Sequence, residues 1–417
     1  MALKGLQKQF DQMTSRRLKI GVTGFAQAGK TVFIGALAQA LLTADAWTSR
    51  RGQGPLAGFG AFERRRLRSA CIRDDVHATL PQFQFRRVRD SLIGRSVQWP
   101  PATTGISHLV LELDVLPMRR ARRMLGLGRM QLELVDYPGE WLIDLPMLHQ
   151  SYADWSERVL RLAQGRTREP LSRDYRGLLK ALPDEGDVDE EQVTALAEAW
   201  RDYLRRAAGA GLTLNQPGRM LQPDQLRDSP VLRFSPLPPD VGSQALRRHL
   251  QRRFEKYKKE VVKPFYRDQF ATIDRQIVLV DVLQALQQGE EVFEEMTRAL
   301  ADTMQSFNYG KGGLLSWLTG ARTSRVLFAA TKADHVVRGD RANLTNMLRW
   351  MLAIVDENRL LPARTQRVDV MALASVRATR DYMTTQPPRR EILYGQPAGE
   401  SEAGLWDPGG LPLDMPP

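Results

Sequence analysis

The chain has 417 residues, 42% hydrophobic and 26% charged, a balance that excludes a wholly disordered or fibrous protein and leaves room for two or three domains. The single cysteine, Cys71, excludes an intrachain disulfide scaffold and a cysteine metal cluster. Sixty Lys and Arg against 48 Asp and Glu give a formal charge of +12, which suits phosphates, anionic lipid or nucleic acid without choosing among them, and which arginine-rich composition alone also produces. No run approaches the ~18 apolar residues of a membrane-spanning helix. The stretch Met1 to Arg17 lacks the apolar core of a secretion signal, so the cytosol is the expected location.

Leu18 to Thr23 predicts a strand, followed by a glycine-rich turn and an apolar helix from Thr31 to Leu42. Thr43 to Gln98 reads as mostly helical and arginine-rich, with a loop around Arg50 to Gly60. Ser107 to Leu116 and Met130 to Asp136 predict an antiparallel hairpin with a basic turn. From Leu145 to Phe270 helices are expected, interrupted by an acidic loop (Pro183 to Glu191) and a proline-rich stretch (Gln216 to Asp240). Short apolar runs at Arg275 to Asp281, Arg325 to Thr331 and Val368 to Leu373 read as strands buried on both faces, separated by helices at Glu290 to Met304 and Arg341 to Val355. Alternating strand and helix predicts an α/β fold: a mostly parallel sheet with helices on both faces. The expected division is a sheet domain from 18–140 and 271–385, carrying 43–98 as one helical insertion, a helical insertion subdomain from 141–270, and a Pro/Gly-rich extended tail from 386–417.

Gly24-Phe25-Ala26-Gln27-Ala28-Gly29-Lys30-Thr31 fits G-x-x-x-x-G-K-[ST], with Val32 continuing the helix. Glycines let backbone N–H groups turn inward around phosphates, and the helix start presents its positive end to them. Lys30 is expected to reach the β- and γ-phosphates, and the Thr31 hydroxyl to ligate Mg²⁺. In an empty loop the Lys30 amine is expected to face solvent.

Asp136 ends its strand and begins D-x-x-G with Gly139. An acid there is placed to hold Mg²⁺ through water, and the glycine N–H to meet the γ-phosphate. Glu140 follows, where small GTPases carry a water-orienting Gln. An ionised carboxylate cannot donate a hydrogen bond. Glu140 therefore orients water differently, or hydrolysis is slow until another group is supplied, or it turns away to pair with an arginine. A switch I threonine that ligates Mg²⁺ belongs just before the Ser107 strand, where Thr103 is favoured over Thr104; the alternative is that both only start the strand.

Thr331-Lys332-Ala333-Asp334 ends a buried strand and fits [NT]-K-x-D. The Asp carboxylate accepts from guanine N1–H and the 2-amino group, the Lys stem covers the base, and adenine offers no such donor pair. Met371 to Ser375 is a weak, shifted likeness of the S-A-x guanine loop, which makes Ser375 a further base-side candidate.

With these residues in place the chain resembles the YcjX-like family of bacterial P-loop GTPases, through TGFAQAGKT, LELVDYPGEWLIDLPML, IVLVDVLQAL and FAATKADHV, over about Leu18 to Arg380. The resemblance implies a Ras-type nucleotide domain carrying a helical insertion, GTP, GDP and Mg²⁺ as ligands, and an association with bacterial envelope stress. It says little about what is switched.

Three stretches combine basic and apolar side chains suited to peripheral contact with an anionic membrane: Arg119 to Leu127, Gly310 to Leu318, and the N-terminal face of Leu3, Leu6, Phe10 and Met13. The alternative is packing against the helical insertion. No nucleic-acid motif accompanies the charge. The leading expectation is a Mg²⁺-dependent GTPase acting as a slow switch, with an unidentified protein partner on the helical insertion. A nucleotide-stabilised scaffold without useful turnover, or an ATPase, are the rivals.

Overall fold

The computed structural model describes residues 16–50, 54–76, 80–93, 98–101, 104–118, 128–306, 325–357, 367–396 and 400–412. A seven-stranded sheet has the order β2 (Leu67–Ile72), β3 (Ser107–Val115), β4 (Arg129–Asp136), β1 (Arg16–Gly24), β5 (Arg275–Val280), β6 (Arg325–Ala330) and β7 (Arg367–Ala372). Strands from β4 to β7 are parallel, and β2 and β3 are antiparallel at one edge. The hairpin and the three later strands stand where their apolar runs predict them.

The long helices are α1 (Lys30–Leu42), α2 (Phe85–Ile93), α3 (Tyr152–Leu162), α4 (Arg173–Lys180), α5 (Glu190–Gly209), α6 (Gln244–Tyr257), α7 (Val282–Gln288), α8 (Glu290–Ser306) and α9 (Arg341–Glu357). On one sheet face, α1 and α2 bury Ile34, Ala38, Leu41, Phe85 and Val88 against Leu109, Leu111 and Leu134. On the other, Val278, Phe328 and Ala330 pack with Leu300, Leu344, Leu348 and Met351 from α8 and α9. Both faces are covered, which is why these strands read as apolar runs without alternation.

The second core continues into the helices between β4 and β5. There Trp155 stacks on Phe254 with ring centroids 5.1 Å apart, and Trp200 packs against Tyr175 and Tyr203. Ser151 and Asp154 form a capping box that starts α3, and Ser243 caps α6. A buried ion pair, Arg168 to Glu295 (2.6 Å), ties this helical body to α8, and Glu295 also accepts from the Thr213 and Leu214 N–H groups. These extra bonds are needed to offset the desolvation of two charges. No described helix is long and apolar enough to cross a membrane.

Two expectations change. The segment 43–98 is not mostly helical, because it contributes edge strand β2, paired with β3 from Leu67↔Val115 to Ile72↔Leu111 across a bulge. Its alternation is masked by polar residues on an edge with few buried positions. The C-terminal stretch is not simply an extended tail: β8 (Thr379–Met383), β9 (Glu391–Gly395) and β10 (Gly404–Trp406) form a second, antiparallel sheet with Leu393 buried. Its Pro and Gly residues cluster between short strands.

Candidate functional site

The register brings the C-terminal ends of the parallel strands to one edge. Asp136 lies beside Val22 of β1, Gly24 beside Leu279 of β5, and Ala330 beside both Val280 and Ala372. This is the edge at which open α/β sheets bind ligands.

The loop from Gly24 to Gly29 turns tightly there, with the Ala28 N–H donating to the Phe25 carbonyl (3.2 Å). Gln27 (φ 61°) and Gly29 (φ 82°) are left-handed, which turns the intervening backbone toward the strand end. Phe25 and Ala28 are buried in the two cores, anchoring the loop from below; Ala26 is exposed. Thr31 and Val32 open α1, Thr31 half-buried and Val32 buried. Lys30 does not face solvent as expected. It is 8% exposed, and its amine donates to the carbonyls of Gly24 (2.8 Å) and Phe25 (3.5 Å). A buried ammonium needs acceptors, and the loop's own carbonyls are the nearest.

Asp136 is 2% exposed at the end of β4, flanked by Val22 and Ser107. A hydroxyl at Thr31 and a carboxylate at Asp136 are hard oxygen donors of the kind Mg²⁺ prefers, so the residues present fit that ion. Beyond Asp136, the Tyr137 hydroxyl donates to Gln276 (2.9 Å), and burial holds its phenol well above the usual range. Gly139 touches the glycine-rich loop directly: a Cβ there would meet the Gly24 carbonyl oxygen at 2.3 Å. Glu140 is half-buried. Thr103 lies outside the described residues, as do all three stretches considered for membrane contact; Thr104 is exposed.

The segment Gly139–His149 runs into the helical body, and the chain around 216–222 grips it. A Cβ on Gly218 would come within 1.8 Å of the Glu140 carbonyl oxygen. The Trp141 indole donates to the Gln222 carbonyl (3.0 Å). Asp144, 2% exposed, accepts from the N–H groups of Gly218 (2.8 Å) and Arg219 (3.3 Å) and from the Tyr257 hydroxyl (2.5 Å). Burial pushes its pKa up to about 6 against the pull of those hydrogen bonds.

At the other end of the edge, Thr331 is held by its N–H on the Val280 carbonyl (2.9 Å). Lys332 is left-handed (φ 58°) and pairs with Asp281, which caps α7. Asp334 is 4% exposed; its carboxylate accepts from the Ala378 N–H (2.8 Å) and its carbonyl from the Thr379 hydroxyl. Ser375 lies half-buried in the same loop between β7 and β8. The His335 ring meets Trp406 of β10 at 6.4 Å, so the small sheet packs on the T-K-x-D turn.

The sequence reading missed Asp281 and the 216–222 grip. Asp281 carries a usable signal, since it directly follows an apolar strand as Asp136 does. Pro217-Gly218 carries none, because it reads as an ordinary turn.

A family model described as YcjX-like family, DUF463, matches residues 18–417. A protein of Escherichia coli (strain K12), named Ras-like GTPase YcjX, is 35% identical over 393 residues, covering 90% of this chain and 82% of the relative. A Shewanella oneidensis protein of the same name is 33% identical over 427 residues, covering 98% of this chain and 87% of the relative.

Proposed function

The chain belongs to the YcjX-like family, and from that premise we propose that it binds guanine nucleotide with Mg²⁺ and hydrolyses GTP to GDP and phosphate as a slow switch. The relatives' printed name, Ras-like GTPase, supports the activity. The contact of Gly139 with Gly24 carries it structurally, because it sets the D-x-x-G turn against the phosphate loop.

On this reading the backbone from Gly24 to Gly29 cradles the phosphates, and Lys30 moves from the loop carbonyls to the β- and γ-phosphate oxygens. Thr31, Asp136 and Thr103 hold Mg²⁺, which when bound supplies charge neutralisation at those oxygens. The Gly139 N–H faces the γ-phosphate, and Glu140 stands beside the water that attacks it. Thr331, Lys332, Asp334 and Ser375 surround the base, with the Asp334 carboxylate accepting from guanine. The nucleotide domain comprises 18–140 and 271–385, and the helical body of 141–270 is its partner-binding insertion. A role in envelope stress rests on the family resemblance.

The test is a competition titration of GTP, GDP and ATP with and without Mg²⁺, followed by single-turnover hydrolysis. Tight Mg²⁺-assisted GTP binding with measurable phosphate release is expected. Preference for ATP would overturn the base assignment, and GTP binding with no release would favour the scaffold.

A further inference from the structure

Residues 218–224 reach from one phosphate-facing loop toward the other. Gly218 packs on Glu140, directly after the D-x-x-G glycine. Six residues later, Asp224 takes a left-handed conformation (φ 51°) that L residues rarely adopt. Its carboxylate stands against Gly105, where a Cβ would lie 2.9 Å from Oδ2, just before β3. Between these two anchors sits Arg219.

The Arg219 guanidinium stacks on the Trp141 ring, 3.1 Å from its centroid. It is half-buried, and no hydrogen-bond or ion-pair acceptor for it is found among the described residues. Asp144, Tyr257 and Asp224 are near enough to act on its charge, but burial dominates and lowers its pKa. A guanidinium carries five donors in a planar fork suited to phosphate. None of its nitrogens is among the buried atoms without a partner, so the fork keeps contact with solvent, and stacking on one ring supplies it no acceptor. The arrangement is explained if an anion arrives. Glu140 sharpens the need, since it adds negative charge where the reaction develops more.

We infer that Arg219 is supplied by the helical body, within the same chain, to the transferring phosphoryl group. Trp141, two residues after Gly139, holds its guanidinium in store. When nucleotide is bound, the fork turns from the ring to the γ-phosphate oxygens and offsets the charge that builds there. This rests on the GTP-hydrolysis reading above, and it names a group that supplies what the carboxylate of Glu140 lacks.

Single-turnover GTP hydrolysis is measured for wild type, Arg219→Ala and Arg219→Lys, beside GDP affinity and the melting shift produced by GDP with aluminium fluoride. Arginines in this role are worth about 10³–10⁵-fold in rate. Arg219→Ala is expected to lose at least about 10²-fold, with GDP affinity within about twofold of wild type. Arg219→Lys, which keeps charge without the fork, is expected to lose nearly as much. Wild type is expected to gain melting temperature with GDP and aluminium fluoride beyond GDP alone, and both variants to lose only that extra gain. A purely structural role would leave the extra gain in place. A wild-type rate in Arg219→Ala overturns the inference while GTPase activity stands. If the Ala variant fails to fold, a wild-type rate in Arg219→Lys overturns it equally. Absence of GTP binding by wild type removes the underlying reading and this inference with it.

Discussion

Gly139 rests on Gly24: a single methyl on the first would lie 2.3 Å from the carbonyl oxygen of the second. The D-x-x-G turn and the Gly24–Gly29 loop therefore share a backbone contact that no side chain mediates. Gly139→Ala must push the turn away from the loop. A stability loss of about 1–3 kcal/mol is expected from overpacking. Single-turnover hydrolysis is expected to fall more than about tenfold, the scale of a misplaced reacting group. Calorimetry and phosphate release check both; a wild-type rate would separate this turn from the chemistry.

Lys30→Ala removes an amine that bridges two loop carbonyls, not one that waits in solvent. The cost in stability is expected to be about 1–2 kcal/mol, from leaving the Gly24 carbonyl without its donor. Triphosphate affinity is expected to drop by roughly 10²-fold, the worth of one strong charge-assisted contact. Tight GTP binding retained by a folded variant would sink the phosphate-loop assignment.

Asp334→Asn leaves one acceptor oxygen where guanine needs two, and the Ala378 N–H competes for it. The amide NH₂ instead suits the carbonyl that xanthine carries at that position. Competition with xanthosine triphosphate is expected to improve relative to GTP. Unchanged preference for GTP would mean that T-K-x-D is not the base reader.

Asp144 has its carboxyl raised from 3.8 to about 6 by burial. The folded protein therefore keeps this proton between about pH 4 and pH 6, where the unfolded chain has released it. Its contribution favours folding below that window and is lost as pH rises through it, by about 3 kcal/mol in all. Melting curves of wild type and Asp144→Asn from pH 4 to pH 7 should diverge across the window and run parallel above it. Parallel curves throughout would show that Asp144 does not titrate as a buried acid.

The helical body meets the site through Gly218 on Glu140 and Asp224 on Gly105. On the proposed reading both loops hold the γ-phosphate, so its loss is expected to be felt beyond them. Hydrogen exchange within Leu145 to Phe270 is expected to differ between GDP and a nonhydrolysable GTP analogue. Identical protection in the two states would leave that stretch a passive appendage.

Sequence alone determined the elements whose chemistry is local. The loop from Gly24 to Thr31 needs its glycines and lysine at fixed spacing, and apolar runs ending in Asp136 and Thr331 need only the burial of parallel strands. Their order along the chain sufficed to place them on one sheet edge. Tertiary structure decided what depends on contacts between distant segments. Edge strand β2 shows too few buried positions for its alternation to be read. Lys332 meets Asp281 because β5 and β6 are neighbours, and Lys30 folds inward because the carbonyls of Gly24 and Phe25 accept from its amine. Gly218 must be glycine because Glu140, 78 positions earlier, occupies the space its Cβ would need. Such close approaches are properties of packing, and no local pattern of residues encodes them.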